Sequence, residues 1–427
     1  MSKLAIDGGK RVIPEGMIRD WPPIDDTDKQ MVLASLDNPK HAFGPNSVEF
    51  QNEFAQWNGN KFAIFTNSGT AALHMGIFAS GVGAGDHVLV TSYSWSSSAT
   101  CILHHNAIPI FVDIDFDTIN IDVSKIEAAI TPRTKAIVVV HLHGLAVNME
   151  KVMKIAKKHK LKVIEDACQA HGALFKGKKV GTMGDCGAFS FNQNKCLCTG
   201  EGGMFVTNDE EMFNKAKMLW SFGETRTPVE SRDYHAYALG WMYRCSDLVG
   251  AWGRAQLKKM DGYFKIQREN GAVLNKKLKG VKGLILPTEP TGHTHNWYNY
   301  TVRIDMDAIG WKGKPAEMRD AVRKALNAEG VPVGVWQSFI LPDMTVFKAK
   351  NAYGRGCPWS CKGAGDGVEY KAENYPNALK HCYSHFGMTV PLRAPNRTDV
   401  AEKVAEGFLK VFENINKLDV EKINGMK

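Results

Sequence analysis

The sequence predicts an α/β protein whose largely parallel β-sheet is covered by helices on both faces. Short apolar runs alternate with helix-like segments through the first half of the chain, as at residues 136–140 and 162–166. Each run has the length of one strand and is far too short to span a bilayer. The runs are apolar without a polar residue at every second position, which is typical of strands buried on both faces. Length supports the same class, because 427 residues allow two domains.

The first half of the chain divides into predicted elements as follows. A helix with a capping box at Thr27 and Gln30 runs to about Leu36, and Ser47 caps the next helix. Turn and cap residues separate the apolar runs that follow. The strands are predicted at 62–65, 87–91, 108–113, 136–140 and 162–166, and the helices between them at 71–78, 97–104, 123–130 and 149–159.

The second half of the chain predicts a linking helix and a smaller α/β domain. The apolar spacing over 247–278 fits one long helix that joins the domains. A strand at 297–302 and helices at 315–329 and 398–415 follow. The predicted division is therefore an N-terminal arm at 1–30, a large domain at 31–265 and a small C-terminal domain at 266–427.

Composition excludes several classes of protein. Apolar residues make up 44% and charged residues 23%, as in a folded soluble chain. The formal charge of +8 is modest and is not gathered in a long Lys/Arg block, so nucleic acid is not the expected partner. The first residues show no secretory apolar segment, and no apolar run reaches membrane length. Nine cysteines, an odd number, indicate free thiols and a cytoplasmic location.

Polar groups that follow parallel strands meet at one edge of a sheet, where ligands bind. After the first strand, Ser68, Gly69 and Thr70 open a helix. Their amides, their hydroxyls and the helix dipole suit a phosphate, although the same residues also serve as an ordinary cap. After the second strand comes Trp95, which either packs in a core or stacks on a flat ligand.

Asp166 ends the fifth strand, with Gln169 three residues later. A carboxylate at the end of a buried strand is costly unless a cation or a hydrogen-bond donor meets it, and a protonated pyridine nitrogen would do so. His141 and His143 follow the fourth strand, where a lone histidine is more often structural than catalytic.

One lysine follows an apolar strand in the run FSFNQNK (189–195), and glycines come soon after it in TGEGG (199–203). A surface lysine in a polar turn is the ordinary interpretation. Scarce water near the end of a buried strand would instead favour the neutral amine of Lys195, which can attack a carbonyl.

These motifs together resemble the DegT/DnrJ/EryC1/StrS family of pyridoxal-phosphate sugar and aminocyclitol aminotransferases. The resemblance covers residue 20 to the C-terminus. It rests on an ordered set of motifs: SGT (68–70), Trp95, EDxxQ (165–169), FSFxxxK (189–195), GEGG (200–203), GWxYR (240–244) and YPNA (375–378). It implies fold type I, with a mostly parallel seven-stranded sheet in the large domain and a smaller C-terminal α/β domain.

The resemblance also implies a role for each matching residue. Lys195 would form the Schiff base with pyridoxal 5'-phosphate and shuttle the proton, while Asp166 would keep the pyridine nitrogen protonated. Gln169 would lie near the ring hydroxyl, and Trp95 would stack on the ring. The phosphate would be held by Gly69, Thr70 and Ser190, with Gln193 assisting.

The reaction implied is a ping-pong transamination. Glutamine or glutamate would leave the cofactor as pyridoxamine 5'-phosphate, which then aminates a keto-cyclitol or keto-sugar. A nucleotide-linked keto-sugar is the alternative substrate, and a non-catalytic regulatory protein that binds the cofactor is the alternative class. A dinucleotide-dependent dehydrogenase is disfavoured because no GxGxxG motif follows the first strand.

The chain departs from the family pattern at specific positions. Met242 stands where many relatives have an asparagine that reaches the phosphate of the neighbouring subunit in a homodimer with active sites at the interface. Arg244 is the candidate substitute. The insertion at 350–373 contains Cys357 and Cys361; since zinc would need a second pair, no metal site is predicted, and a loop over the active-site mouth is expected.

Overall fold

The computed structural model describes residues 2–225, 234–361 and 363–426. Its largest sheet has seven strands in the order β1-β9-β8-β5-β4-β2-β3. Strand β9 is antiparallel to both of its neighbours, and the other strand pairs in this sheet are parallel, so the predicted fold class is confirmed. In chain order the strands of the protein are β1 Phe62–Thr66, β2 His87–Thr91, β3 Ile108–Val112, β4 Thr134–Val140, β5 Lys162–Asp166, β6 Leu174–Phe175, β7 Lys178–Lys179, β8 Cys186–Ser190, β9 Gly203–Thr207, β10 Leu284–Ile285, β11 His293–Thr294, β12 Tyr300–Ile304 and β13 His385–Met388.

The helices agree with the apolar patterns better than with the predicted caps. The capping box of the first helix joins Asp25 and Asp28, so the prediction of Thr27 and Gln30 is wrong. Ser47 lies inside the second helix, which begins at Pro45 after Gly44. The helices are α1 Asp26–Leu36, α2 Pro45–Asn58, α3 Gly69–Ala79, α4 Ser97–Leu103, α5 Val123–Ile126, α6 Met149–His159, α7 Glu210–Trp220, α8 Asp247–Leu257, α9 Met260–Leu278, α10 Pro315–Ala328, α11 Thr345–Lys348, α12 Pro376–Ser384, α13 Thr398–Glu413 and α14 Val420–Gly425.

The seven-stranded sheet is buried on both faces because each strand sends apolar side chains to both. Along β2, Val88 and Val90 pack with the helix α3 side of the sheet, and Leu89 packs on the opposite side. Helix α2 covers that opposite side with Phe50 and Phe54. This arrangement explains why the strands lack polar alternation.

The small domain is built on a three-stranded sheet in the order β10-β12-β13, against which α10 and α13 pack. The N-terminal arm joins this core through the buried side chains of Leu4 and Ile13. Glu329 anchors the arm, since its carboxylate accepts a hydrogen bond from the backbone amide of Ala5. The predicted linking helix is two helices, α8 and α9, which are separated at Lys258 and Lys259. The domain boundaries at residues 30 and 265 stay predictions.

The insertion at 350–373 lies along the edge of the sheet, next to strand β3. The hydroxyl of Tyr370 donates to the carbonyl of Pro109 at 2.8 Å, and the hydroxyl of Tyr353 donates to the carbonyl of Leu103 at 2.6 Å. His87 Nε2 donates to the carbonyl of Ala364 at 2.8 Å. An edge strand exposes unpaired backbone groups, and the insertion bonds to one of them, the carbonyl of Pro109.

None of the helices in the described residues is long and apolar enough to cross a membrane.

Candidate active site

A cavity of about 350 Å³ opens at the carboxyl edge of the large sheet. Seven of the eight predicted site residues line it: Gly69, Thr70, Trp95, Asp166, Gln169, Ser190 and Lys195. They come from the segments that follow β1, β2, β5 and β8, as expected where parallel strands end together. No described residue of the 350–373 insertion lines this cavity, so the expected loop over its mouth lies instead along strand β3.

The amino terminus of helix α3 forms one wall of the cavity. Ser68 caps the helix by accepting a hydrogen bond from the amide of Ala71, which leaves the amides of Gly69 and Thr70 without helical partners. A Cβ atom on Gly69 would lie 2.7 Å from Cβ of Ser190, and one on Gly203 would lie 2.4 Å from the carbonyl oxygen of Ser68. Glycine is therefore required at both positions for strands β8 and β9 to touch the start of the helix. The result is a pair of backbone amides at a helix start, an arrangement that suits an anion.

Asp166 lies deeper in the same cavity and is only 4% exposed. Its Oδ2 accepts a hydrogen bond of 2.7 Å from the hydroxyl of Ser98, and its Oδ1 accepts one of 3.2 Å from the amide of Cys168. Ser98 is itself hydrogen-bonded to Ser94 at 2.8 Å. Among the residues that the structure describes, no lysine or arginine forms an ion pair with Asp166. Each carboxylate oxygen keeps capacity for a further donor from the cavity.

Glu165, the neighbouring carboxylate, has a structural role on the opposite face of β5. Burial alone would raise its pKa, but hydrogen bonds from His141 and from backbone amides leave the pKa below its usual value. His141 Nε2 donates to Glu165 at 2.9 Å, and His141 Nδ1 accepts from the amide of Val147. Glu165 also accepts from the amides of Gly181 and Met183, and so holds the turn before β8.

Lys195 lies in the turn between β8 and β9, five residues beyond the end of the strand at Ser190. Its backbone is held on both sides. The indole N–H of Trp21 donates to the carbonyl of Lys195 at 3.0 Å, and Nη2 of Arg393 donates to the carbonyl of Asn194 at 2.8 Å. The side-chain Nζ makes no hydrogen bond or ion pair within the described ranges and lies 5.0 Å from the centroid of the Tyr298 ring. A fixed backbone thus presents a free amine to the cavity.

Aromatic side chains enclose the cavity. Trp95 is 58% exposed and faces Trp336 of the small domain, with 6.5 Å between the ring centroids. Trp336 is supported by Tyr93 at 5.5 Å and by His143 at 5.0 Å. Trp95 is therefore not a core residue, and a flat ligand can reach its face.

The two glutamines of the predicted site have different positions. Gln169 lines the cavity, and its Oε1 accepts a hydrogen bond of 2.8 Å from the amide of His143. Gln193 does not line it. Gln193 is exposed, and its side-chain Nε2 donates to the carbonyl of Trp21 at 3.3 Å. The structure thus places Gln193 against the N-terminal arm, and its contact with the phosphate stays a prediction.

Two buried histidines lie close to the site and are kept neutral by burial. Burial and the nearby charge of Lys195 lower the pKa of His171 to about 3. Burial also lowers the pKa of His143 far below its ordinary value, helped by neighbouring histidines. Neither ring nitrogen of His171 has a hydrogen-bond partner in the part of the chain that the structure describes. Both rings act as packing groups at neutral pH.

Several residues of the cavity wall did not enter the sequence prediction. Tyr298 and Trp336 come from the small domain, about 100 residues or more after Lys195, and nothing local in the sequence marks them. Ser98 is not a wall residue but hydrogen-bonds to Asp166, and it had a usable signal, because it follows a strand in a serine-rich segment. Asn192 and Glu201 lie in the lysine turn and bond to each other at 2.8 Å. Tyr298, Trp336, Asn192 and Glu201 thus belong to the part of the wall outside the predicted cofactor set.

The donor set fits pyridoxal 5'-phosphate. Backbone amides at the start of α3 suit the phosphate, and the Asp166 carboxylate, unpaired with any described cation, suits a protonated pyridine nitrogen. The amine of Lys195 suits the aldehyde, and the exposed face of Trp95 suits the ring. One cavity thus offers a partner for the phosphate, for the protonated ring nitrogen and for the aldehyde of the cofactor.

Comparison with known proteins identifies the same chemistry. The model of the DegT/DnrJ/EryC1/StrS aminotransferase family matches residues 22–365. GDP-perosamine synthase of Caulobacter vibrioides is 38% identical over 312 residues, which cover 69% of this chain and 82% of that protein. L-glutamine:2-deoxy-scyllo-inosose aminotransferase of Streptomyces lividus is 34% identical over 342 residues, covering 76% of this chain and 78% of that protein.

A solved structure shares the fold along most of the chain. The aminotransferase from Psychrobacter cryohalolentis superposes with a TM-score of 0.80 at 29% identity, covering 93% of this chain and 99% of that one. The expected enzyme class is thereby confirmed, and the non-catalytic alternative is wrong. The chain belongs to the DegT/DnrJ/EryC1/StrS family and is a pyridoxal-phosphate-dependent aminotransferase.

Proposed function

We propose that this aminotransferase moves an amino group from glutamine or glutamate to a keto-cyclitol or to a keto-sugar that carries no nucleotide. The observation that carries this proposal is the polarity of the cavity wall. Outside the residues assigned to the cofactor, the polar side chains of the described wall include Asn192, Asn194 and Glu201. Amides and a carboxylate are suited to the hydroxyl groups of a small polyol.

The charge of this wall disfavours a diphosphate. Lys195 is the one cationic side chain among the described residues that line the cavity. Its amine is committed to the reaction, so the described part of the chain supplies no other lysine and no arginine there for the phosphates of a nucleotide. Glu201 would repel them. The relative from Streptomyces lividus, whose name specifies 2-deoxy-scyllo-inosose, supports the cyclitol assignment.

The catalytic roles follow from the positions of the side chains. When bound, the cofactor supplies the carbonyl that receives the amino group and a ring that withdraws electrons. Lys195, with its free Nζ, moves the proton at the reacting carbon. Asp166, oriented by Ser98, holds the proton on the ring nitrogen. Trp95 and Trp336 exclude water from the two sides of the cavity.

A nucleotide-linked keto-sugar is the second candidate substrate. It is favoured by the 38% identity to GDP-perosamine synthase. In that case the cations for the diphosphate would come from a second subunit.

The two candidates can be separated with purified protein loaded with cofactor. Equal concentrations of 2-deoxy-scyllo-inosose with glutamine as amino donor, and of GDP-perosamine with 2-oxoglutarate as the acceptor of its amino group, are supplied in separate reactions. Transfer of the amino group is followed by mass spectrometry. The proposal predicts turnover of the cyclitol at least about tenfold faster, a difference worth about 1.4 kcal/mol in the barrier. Faster deamination of GDP-perosamine would contradict it.

We further propose that the chain works as a homodimer. Exposed apolar side chains are concentrated in one segment that follows helix α7, namely Phe222, Tyr234, Tyr237, Leu239 and Met242. Such a patch on a protein surface marks an association site. Met242 takes no part in the cavity of its own chain among the described residues. The patch is consistent with contact to a second copy.

Light scattering coupled to gel filtration tests this association. The wild-type protein should elute at twice the mass of the chain, and Leu239→Asp should shift it toward the monomer, because a buried unpaired carboxylate is costly. Lys265→Ala, on the exposed side of helix α9, is the matched control and should leave the mass unchanged. A wild-type monomer with full activity would refute the proposal.

A further inference from the structure

Cys357 and Cys361 form a close pair of thiols outside the catalytic cavity. Their sulfur atoms lie 3.5 Å apart. Cys361 is exposed and Cys357 is half-buried, whereas six of the other seven cysteines are buried. The remaining one, Cys168, lies in the wall of the catalytic cavity, and burial raises its pKa far above the ordinary thiol value. The pair is therefore the site most open to oxidants in solution.

The backbone of the turn holds the two sulfurs together. The amide of Cys361 donates to the carbonyl of Pro358 at 3.1 Å, and the amide of Ala352 donates to the carbonyl of Cys357 at 2.9 Å. Trp359, between the cysteines, is buried, and its Nε1 donates to the hydroxyl of Tyr370 at 2.9 Å. This anchors the turn to strand β3 through Pro109. A disulfide bond needs sulfurs about 2.0 Å apart, so they must approach by about 1.5 Å.

The surroundings do not supply a metal site. No group of three or more His, Cys, Asp or Glu side chains able to hold a metal occurs within residues 2–225, 234–361 and 363–426. Two thiols that touch and lack further ligands have oxidation to a disulfide as their available chemistry. We propose that Cys357 and Cys361 are a reversible dithiol site, which small-molecule disulfides oxidise to an intramolecular disulfide bond.

The reaction balances with a disulfide such as oxidised glutathione as the oxidant. The exposed Cys361, as thiolate, attacks one sulfur of glutathione disulfide and releases the first glutathione, which takes up the proton of Cys361. Cys357 then attacks the mixed disulfide at the Cys361 sulfur and releases the second glutathione with the second proton. Two electrons pass from the protein to the oxidant, and one disulfide is exchanged for another. The neighbouring Cys361 raises the pKa of Cys357, which agrees with Cys361 acting first.

Oxidation would close the turn that carries Trp359 into a covalent ring. Closing a ring of five residues disfavours opening of this turn by up to about 30-fold in the chain-entropy model. The catalytic cavity has no described wall residue from this segment, so the basal activity of the aminotransferase should not depend on the pair. The proposal is thus independent of which ketone the enzyme aminates.

The test uses the full-length protein with cofactor bound. The wild type, Cys357→Ser and Cys361→Ser are incubated with oxidised glutathione, blocked with iodoacetamide and analysed by intact mass and peptide mapping. The wild type should lose two hydrogens and yield a peptide in which Cys357 and Cys361 are linked. Dithiothreitol should reduce this link and restore both thiols. Cys357→Ser should instead accumulate one glutathione on Cys361, because the second thiol is missing.

Two results of the glutathione experiment would contradict the proposal. A wild-type protein that accumulates glutathione on Cys361 without forming the internal bond would overturn the proposal, as would a wild type that remains fully reduced. Circular dichroism of each variant checks folding. Phenylarsine oxide, which binds paired thiols, gives a second measurement: one equivalent should be retained by wild type and none at this segment by either variant. Equal retention by all three proteins would also contradict the assignment.

Discussion

A methyl group at Gly69 should damage cofactor binding more than it damages the fold. In Gly69→Ala the added Cβ would lie 2.7 Å from Cβ of Ser190 and 2.9 Å from Sγ of Cys168, where ordinary contacts are 3.4–4 Å. The start of helix α3 must therefore move by about 0.7 Å, an overpacking that typically costs about 1–3 kcal/mol. The same movement displaces the two amides that are expected to hold the phosphate. Loss of one hydrogen bond to a charged group is worth about 1.5–3 kcal/mol, or roughly 10- to 150-fold in affinity.

Urea denaturation of the apoprotein and titration with pyridoxal 5'-phosphate measure the two effects separately. Gly262→Ala is the matched control, since Gly262 lies in helix α9 and its added Cβ would have no atom within 4 Å. The control should keep cofactor affinity and gain up to about 1 kcal/mol of stability. Equal cofactor affinity in Gly69→Ala and wild type would refute the assignment of the phosphate to the start of α3.

Further variants test other parts of the site. Asp166→Asn should lower the rate of both half-reactions about 100- to 1,000-fold, as measured by stopped-flow absorbance, while circular dichroism stays unchanged. Trp336→Ala should raise the KM for the acceptor about tenfold, because an aromatic wall worth roughly 1.5 kcal/mol is lost, with a smaller effect on the amino donor. His171 has a pKa of about 3 in the folded protein against the ordinary 6.5, so the unfolded chain binds more protons below pH 6.5 and stability falls as the pH drops. Between pH 7 and pH 5 this residue should cost about 2 kcal/mol, and His171→Leu should remove that part of the acid sensitivity of urea unfolding. The role of Asp166 would be contradicted by unchanged half-reaction rates, and that of Trp336 by an unchanged KM for the acceptor. The role of His171 would be contradicted if His171→Leu left the pH dependence of the unfolding free energy unchanged.

Much of the large domain follows from local pattern. The strands at 87–91 and 162–166 and the helix at 149–159 match the structure to the residue. In the helix, Asn148 caps the start, and Lys160 ends it in the left-handed conformation. The predicted cap of helix α1 is wrong because more than one residue near its start can cap it. Asp25 caps the helix instead of Thr27. Its carboxylate accepts a hydrogen bond from the amide of Asp28, and the carboxylate of Asp28 accepts one from the amide of Asp25.

Site residues can be predicted from the sequence where a reactive or ligand-binding residue lies at the end of a strand. Asp166 and Gly69 meet in one cavity because parallel strands finish at the same edge. Tyr298 and Trp336 reach this cavity only through packing of the small domain, which no short sequence pattern encodes. The position of the 350–373 insertion was likewise decided by distant contacts, through the hydrogen bond from Tyr370 to Pro109.

The central claim is that Lys195 binds the cofactor covalently and passes it to the amino donor. The most direct measurement is the absorption spectrum of the purified protein with pyridoxal 5'-phosphate, before and after addition of glutamine or glutamate, for wild type and Lys195→Ala. The account predicts a visible band in wild type that the donor abolishes, and no such band in the variant. A wild-type spectrum identical to that of Lys195→Ala, at saturating cofactor, would contradict the account.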